Sequence, residues 1–173
     1  LKYKLLDLTA SSEDIYWLDV GCGDGRSLKV LDSIQNQKSI KYHGIGTCEN
    51  LEVAKKRADS YCLDSRFERM DMADIEFKNS KYDIISSILS LHEIDPLRLP
   101  HILKNMLQAL KRDGIIVISD IQVPYEREKN VIFWTAEDIK NLLNGICKEP
   151  KVEIETFKGG SYPDEFEFYT GVI

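Results

Sequence analysis

One short stretch limits the folds open to this chain more than any other feature. Residues 17–26 read Trp-Leu-Asp-Val-Gly-Cys-Gly-Asp-Gly-Arg, so glycines stand at every second position after an apolar beginning. The apolar part predicts a short buried strand, and a helix is expected to begin near Arg26. Because glycine lacks a Cβ and accepts positive φ, such a loop turns sharply and lets a ligand approach its backbone. The stretch therefore predicts a strand, a loop and a helix, with a ligand at the carboxyl end of the strand.

The spacing of these glycines argues against two common nucleotide loops. A dinucleotide fingerprint has glycines at its first, third and sixth places. Here the sixth place is Arg26, and the third glycine, Gly25, comes one residue early. A Walker loop is excluded as well, because no Gly-Lys-Ser or Gly-Lys-Thr follows. A glycine turn that binds nothing remains the alternative to a ligand loop.

An acidic residue at the strand end, Asp19, followed by Gly-x-Gly-x-Gly, resembles the first motif of the class I S-adenosylmethionine-dependent methyltransferases. The resemblance extends from about Asp14 to the end of the chain. It implies S-adenosylmethionine as the cofactor and S-adenosylhomocysteine as the product. It also implies that Asp19 lies near the methionine amino end, and that Gly21 and Gly23 let the cofactor approach.

The second predicted strand, residues 40–46, departs from the family at its end. The family has an acid there that holds the two ribose hydroxyls, and this chain has Gly46. Glu49 follows at the start of the next predicted helix, over about 49–60, and is the candidate that reaches the ribose instead. The competing interpretation of Glu49 is a first-turn acid favoured by the helix dipole.

A third strand is expected over residues 66–71, and its end resembles the acidic step at which the family binds adenine. Asp71 would accept a hydrogen bond from the exocyclic amine, and the amide of Met72 would donate to a ring nitrogen. Asp74 competes for the same role but is also explained as a loop or cap residue.

The fourth predicted strand, residues 82–89, is apolar at its centre, as expected for a strand buried on both faces of a parallel sheet. Ser87 would line the floor of the site. Residues 90–94 look like the Leu-His-His or Leu-His-Glu segment of small-molecule methyltransferases. His92 is the one catalytic candidate, because histidine can accept a proton near neutral pH. A His92 that packs beside the cofactor or caps a turn is the alternative.

The remaining elements complete an α/β pattern. A helix opened by Pro100, a fifth strand over 115–120, a helix capped by Thr135 and a terminal hairpin over 152–157 and 166–172 are expected. Together they predict a three-layer α/β/α sandwich with a seven-stranded, mostly parallel sheet and an antiparallel last strand, the Rossmann-like methyltransferase fold. Residues 1–14 are expected to form a segment that covers the cofactor or a frayed terminus.

Length and composition agree with one domain over residues 1–173. The sequence contains no apolar run of the roughly 20 residues that a membrane helix needs. The chain opens on Leu1 instead of Met, which suggests a piece of a longer protein with flanking domains. Four cysteines without a paired spacing predict reduced thiols, a cytoplasmic location and no metal site.

Charge bears on the acceptor of the methyl group. The net charge is −6, from 29 acidic and 23 basic residues, and the basic residues are dispersed. A nucleic-acid substrate is therefore disfavoured, and a small-molecule acceptor is expected. A catalytically inactive module that binds cofactor or another protein is the alternative, since Gly46 lacks the ribose acid. An oxidoreductase using a nucleotide cofactor is disfavoured by the glycine spacing.

Overall fold

The computed structural model describes residues 14–34, 39–47, 49–75, 80–121 and 132–146, together with the backbone of two further strands. The strands are β1 Ile15–Val20, β2 Ile40–Gly46, β3 Asp64–Arg69, β4 Tyr82–Ile88, β5 Leu110–Ile121, β6 Glu153–Gly159 and β7 Phe166–Val172. The α-helices are α1 Leu51–Ser60, α2 Leu99–Ala109 and α3 Ala136–Ile146, and 3₁₀ helices cover Arg26–Ser33, Met72–Asp74 and Leu91–Glu93.

The strands form one sheet in the order β3-β2-β1-β4-β5-β7-β6. Neighbouring strands from β3 to β5 run parallel, and β7 runs antiparallel to both β5 and β6. The predicted α/β architecture with an antiparallel last strand is confirmed. The chain order reverses between β1 and β4, and open α/β sheets bind their ligands outside the carboxyl ends of the strands at such a point.

Two hydrophobic cores lie on opposite faces of the sheet. Successive residues of β1 point to different cores, because side chains alternate along a strand: Trp17 packs with the 3₁₀ helix Arg26–Ser33 and α1, and Leu18 packs with α2 and α3. The same alternation separates Ile84 from Ile85 on β4. The molecule therefore has three layers, as predicted.

The helix expected near Arg26 is present, but it is a 3₁₀ helix. Gly25 precedes it with φ 77°, and a Cβ on Gly25 would lie 3.1 Å from Ala54 of α1. Glycine at this position thus allows both the left-handed turn and the close approach of α1. The turn at Gly25 therefore brings the glycine loop into contact with α1.

Two further predictions have clear outcomes. The cap of α3 is confirmed: Thr135 N donates to Asp138 Oδ2 at 2.8 Å, and Asp138 N donates to Thr135 Oγ1 at 3.1 Å. The fifth strand was expected over residues 115–120, and this bound is wrong, because β5 begins at Leu110 directly after α2. Lys111 reaches both carboxylate oxygens of Asp83 on β4, at 2.8 and 2.9 Å, which holds this early part of β5 to its neighbour.

Some expectations fall on residues that lie outside the described ones. These include the covering segment, of which only Asp14 is described, and most of the connection after β5. No helix among the described residues is both long and apolar enough to cross a membrane. Within the same residues, no group of three or more His, Cys, Asp or Glu side chains could hold a metal ion.

Candidate functional site

A cleft opens at the carboxyl ends of β1 to β4, where the strand order reverses. It consists of two adjoining cavities of ≈ 250 and ≈ 360 Å³, and small-molecule sites have volumes of this order. The glycine-loop cavity, the smaller one, extends along Asp19, Asp24 and Ser27. The β3-side cavity, the larger one, extends along Gly46, Asp71 and Met72. Four residues line both cavities: Gly21, Gly23, Asn50 and Leu89.

Gly21 and Gly23 of the glycine loop line both cavities of the cleft, and the structure requires glycine at the two positions for different reasons. Gly21 and Gly23 both have positive φ, 75° and 52°. A Cβ on Gly21 would lie 2.6 Å from Ser90, whereas a Cβ on Gly23 would meet no atom within 4 Å. Gly21 is thus required by protein packing, and Gly23 keeps open a space within the cleft.

Two amides of this loop are already used by the protein. Gly21 N and Cys22 N both donate to the carbonyl oxygen of Ile45, at 2.9 Å each. These hydrogen bonds hold the loop against β2. The sequence argument treated the loop amides as ligand donors, and for these two the structure shows an internal acceptor instead.

Asp19 is a buried carboxylate that accepts three hydroxyl hydrogen bonds. Ser27 and Tyr42 donate to Oδ2 at 2.5 and 2.7 Å, and Ser86 donates to Oδ1 at 2.6 Å. Its side chain lines the glycine-loop cavity but is almost fully buried. Burial raises the pKa of Asp19, and the three hydroxyl donors oppose this shift. Asp19 therefore joins β1, β2, β4 and the 3₁₀ helix at the cleft wall.

At the end of β2, Gly46, Thr47 and Asn50 line the β3-side cavity. A Cβ on Gly46 would be in ordinary contact with Cys22 N at 3.7 Å, so a side chain would fit there. Glu49 is exposed and lines neither cavity. The sequence argument missed Asn50, which caps the amino end of α1 without a side-chain cap hydrogen bond. The preference for Asn before a helix was the signal that could have found it.

Asp71 and Met72, the residues expected to contact adenine, line the β3-side cavity. Asp71 Oδ1 accepts a hydrogen bond from Ala73 N at 2.9 Å, and Oδ2 lies 3.0 Å from Nη2 of Arg98. The Ala73 amide lowers the pKa of Asp71; partial burial opposes the shift, and Arg98 reinforces it. Arg98, which the sequence argument did not name, also lines this cavity.

The end of β4 and the residues that follow it place their side chains differently from the expectation. Ser87 is fully buried, and its Oγ lies 2.8 Å from Oγ of Ser90. Ser87 lines neither cavity, and Ser90 lines the β3-side cavity. Leu89, between them, has a left-handed backbone with φ 54°.

His92 is buried and paired with Asp120 at the end of β5. Its Nδ1 lies 2.6 Å from Oδ1 of Asp120, and Oδ2 of the same carboxylate accepts from the amides of Leu91 and His92 at 2.7 and 3.2 Å. His92 lines neither cavity. The described structure thus brings the glycines, Asp19, Asp71 and Met72 together, but not Glu49, Ser87 or His92. Asp120 was missed because nothing in the sequence marks it as the partner of His92.

A family of methyltransferase domains matches residues 2–155 of the chain. No curated protein sequence matches the chain. Solved structures with the same fold include phosphoethanolamine N-methyltransferase 2 of Haemonchus contortus in complex with S-adenosyl-L-methionine, with a TM-score of 0.73 and 15% identity over 98% of this chain and 51% of that one.

Two other solved structures have the same fold at a similar sequence identity. The CurJ carbon methyltransferase has a TM-score of 0.77 and 16% identity over 99% of this chain and 53% of that one. Magnesium protoporphyrin IX methyltransferase of Synechocystis PCC 6803, with bound S-adenosylmethionine, has a TM-score of 0.66 and 16% identity over 97% and 74%.

The chain spans about half the length of the first two of these proteins. At such low identities the likeness concerns the fold alone, and the family match covers most of the chain. The chain therefore belongs to the methyltransferase domain family, with the fold of the class I S-adenosylmethionine-dependent methyltransferases.

Proposed function

We propose that this domain binds S-adenosylmethionine in the cleft and transfers its methyl group to a small-molecule acceptor. The observation that carries the proposal is the open space at Gly23, inside a cleft at the carboxyl ends of the parallel strands. When bound, the cofactor supplies a methyl group made electrophilic by its sulfonium.

The residues of the cleft fit such a cofactor chemically. Gly23 leaves room for it to approach the loop, and Met72 offers an apolar side chain where an aromatic base would pack. The carboxylate of Asp71 keeps acceptor capacity for an exocyclic amine, because two oxygens have about four lone-pair positions and two are in use. The glycine-loop cavity provides the second compartment, for the amino-acid arm.

The ribose position is where this chain differs from its family. Gly46 has no side chain, and Glu49 is exposed and lines neither cavity. Asn50 and Thr47 line the β3-side cavity, and an amide and a hydroxyl can both donate to and accept from ribose hydroxyls. We assign the ribose contact to these neutral groups in place of the family's acid.

His92 remains our candidate for a general base, needed only when the acceptor carries a proton at its nucleophilic atom. Asp120 lies 2.6 Å from its Nδ1 and orients the imidazole ring at the end of β4. The proposal of a small-molecule acceptor is supported by the net charge of −6 and by the acceptors that similar proteins name: phosphoethanolamine for one and magnesium protoporphyrin IX for another.

Cofactor binding is tested by calorimetry with S-adenosylmethionine and S-adenosylhomocysteine. Gly23→Val places a branched side chain in the open space of the cleft, so affinity should fall at least about tenfold. Gly145→Val is the control for added side-chain volume, because a Cβ there also meets no atom within 4 Å but lies on α3, outside both cavities. Gly23 has φ 52° and Gly145 is helical, so circular dichroism of the Gly23 variant separates backbone strain from lost binding. Near-normal circular dichroism of the Gly23 variant with unchanged affinity would contradict the binding site.

The acceptor is tested with methyl-tritiated cofactor and a cell extract. We expect label in the low-molecular-weight fraction, and label in nucleic acid or protein would contradict the small-molecule proposal.

A second candidate function follows from Gly46: a module that binds the cofactor without transferring its methyl group. Intact binding with no labelled product in any fraction would favour that module.

A further inference from the structure

Leu89 adopts a backbone conformation that side chains with a Cβ rarely occupy. Its φ is 54°, and the other described non-glycine residue with positive φ is Cys62, at 53° after α1. The left-handed region brings Cβ close to the following carbonyl oxygen, and it is best tolerated by Gly, Asn and Asp. A branched apolar residue there is an unfavourable choice for folding alone.

The surrounding structure holds Leu89 in this conformation from both sides. Its amide donates to the carbonyl oxygen of Ser119 at 2.8 Å. The next residue, Ser90, donates from Oγ to the carbonyl oxygen of Val20 at 3.2 Å. The carboxylate of Asp120 fixes the amides of the two residues that follow. Strain that neighbours impose in this way is found most often at functional sites.

The side chain of Leu89 lies where the two cavities meet. It lines both of them and is 40% exposed, although it is large and apolar. Two other large apolar side chains in the described residues, Val53 and Leu97, are even more exposed, and neither lines the cleft. A ligand that occupies both cavities at once would lie among the four residues common to them, of which Leu89 has the only large apolar side chain.

We propose that Leu89 is a specificity-determining residue, whose strained backbone points an apolar side chain at the part of the ligand that joins its adenosine to its amino-acid arm. The inference rests on the proposed function, since it takes an adenosyl amino acid as the ligand. Such a side chain selects for ligands that fill both cavities. It contributes little to the binding of adenosine alone, which fills one.

Two variants separate the side chain from the backbone strain. Leu89→Ala and Leu89→Gly both remove the apolar group, but only glycine also relieves the left-handed conformation. Both should bind S-adenosylhomocysteine about tenfold more weakly than the parent, and adenosine nearly as well as the parent. The glycine variant should melt about 2 °C or more above the alanine variant, the reverse of the usual order.

Cys62→Ala and Cys62→Gly are the matched controls, because Cys62 has the same left-handed backbone conformation as Leu89 and lies outside the cleft. They should show the same order of melting temperatures with unchanged affinity for S-adenosylhomocysteine. Parental affinity in both Leu89 variants would overturn the inference, and so would a loss confined to one of them or an equal loss for adenosine. If the parent itself binds neither S-adenosylmethionine nor S-adenosylhomocysteine, the proposed function fails and the inference with it.

Discussion

A single carboxylate, Asp19, shows how much of the loop geometry depends on individual hydrogen bonds. Its three donors come from β2, β4 and the 3₁₀ helix Arg26–Ser33, so each of them ties another element to the end of β1. A buried charge without these donors would be costly, because water does not replace them. Each hydroxyl therefore contributes more here than the same group does at the surface.

Tyr42→Phe tests this statement directly. Removing the hydroxyl deprives Asp19 of one donor, which should raise the pKa of Asp19 further and cost about 1.5 to 3 kcal/mol in the free energy of unfolding. Denaturant unfolding at neutral pH measures the cost. Tyr61→Phe is the control, because its hydroxyl donates to Asp32 at 2.6 Å in an exposed position. The control should lose no more than about 0.5 kcal/mol, and equal losses in the two variants would contradict the argument.

Among the elements, the 3₁₀ helix Leu91–Glu93 has three residues and cannot be stable by itself. Asp120 stabilises it from β5 through the amides of Leu91 and His92 and through the His92 ring. Since this helix follows Leu89 and Ser90, it also fixes the wall of the cleft. Asp120 is thus a positioning residue for the site.

Asp120→Asn should weaken this attachment, because the amide group offers one acceptor oxygen where the carboxylate has two. We expect a loss of about 2 kcal/mol or more and faster hydrogen exchange at the amides of Leu91 and His92. Asp71→Asn is the comparison, since Asp71 caps another three-residue 3₁₀ helix from a position that is 35% exposed. It should destabilise less. Unchanged exchange at Leu91 in Asp120→Asn would show that the helix does not depend on the carboxylate.

The elements differ in how well the sequence predicts them. β2 was expected over residues 40–46 and covers Ile40–Gly46, because apolar residues alternate with polar ones at its start and a glycine stands at its end. The start of β5 was missed, since Lys111 and Asp113 look like a polar turn until Asp83 is known to lie opposite Lys111. In the cleft, Asp19, Gly21 and Gly23 of the loop motif line a cavity, whereas Arg98 and Asp120 act through contacts that only the folded chain creates.

At the scale of the whole molecule, His43 makes the stability of the fold depend on pH. His43 is buried on β2 with Nδ1 2.7 Å from the hydroxyl of Tyr82 and Nε2 3.7 Å from Glu68. Burial, together with the nearby charges of Arg66 and Lys81, lowers the pKa of His43 from 6.5 to about 4. Between these values the unfolded chain takes up a proton that the folded protein does not. Stability therefore falls as the pH drops from about 6.5 to about 4.

The shift corresponds to roughly 3 kcal/mol at most, lost across that interval. Urea unfolding of the parent from pH 7 to pH 4 should show this decline, and His43→Gln should flatten it. His101→Gln is the control, because His101 is exposed on α2 and near Asn105. A decline that persists unchanged in the His43 variant would assign the pH dependence to other groups.

The position of β7 in the sheet also matters while the protein is being made. β7 lies between β5 and β6, although it is the last of the seven strands to leave the ribosome. Until it arrives, β5 is paired with β4 on one side and presents unpaired amide and carbonyl groups on the other. The centre of β5 reads Ile-Ile-Val-Ile at residues 115–118, and open apolar strands pair readily with other chains. A nascent chain that stalls before β7 therefore exposes the apolar edge of β5, which a chaperone would have to protect during that interval.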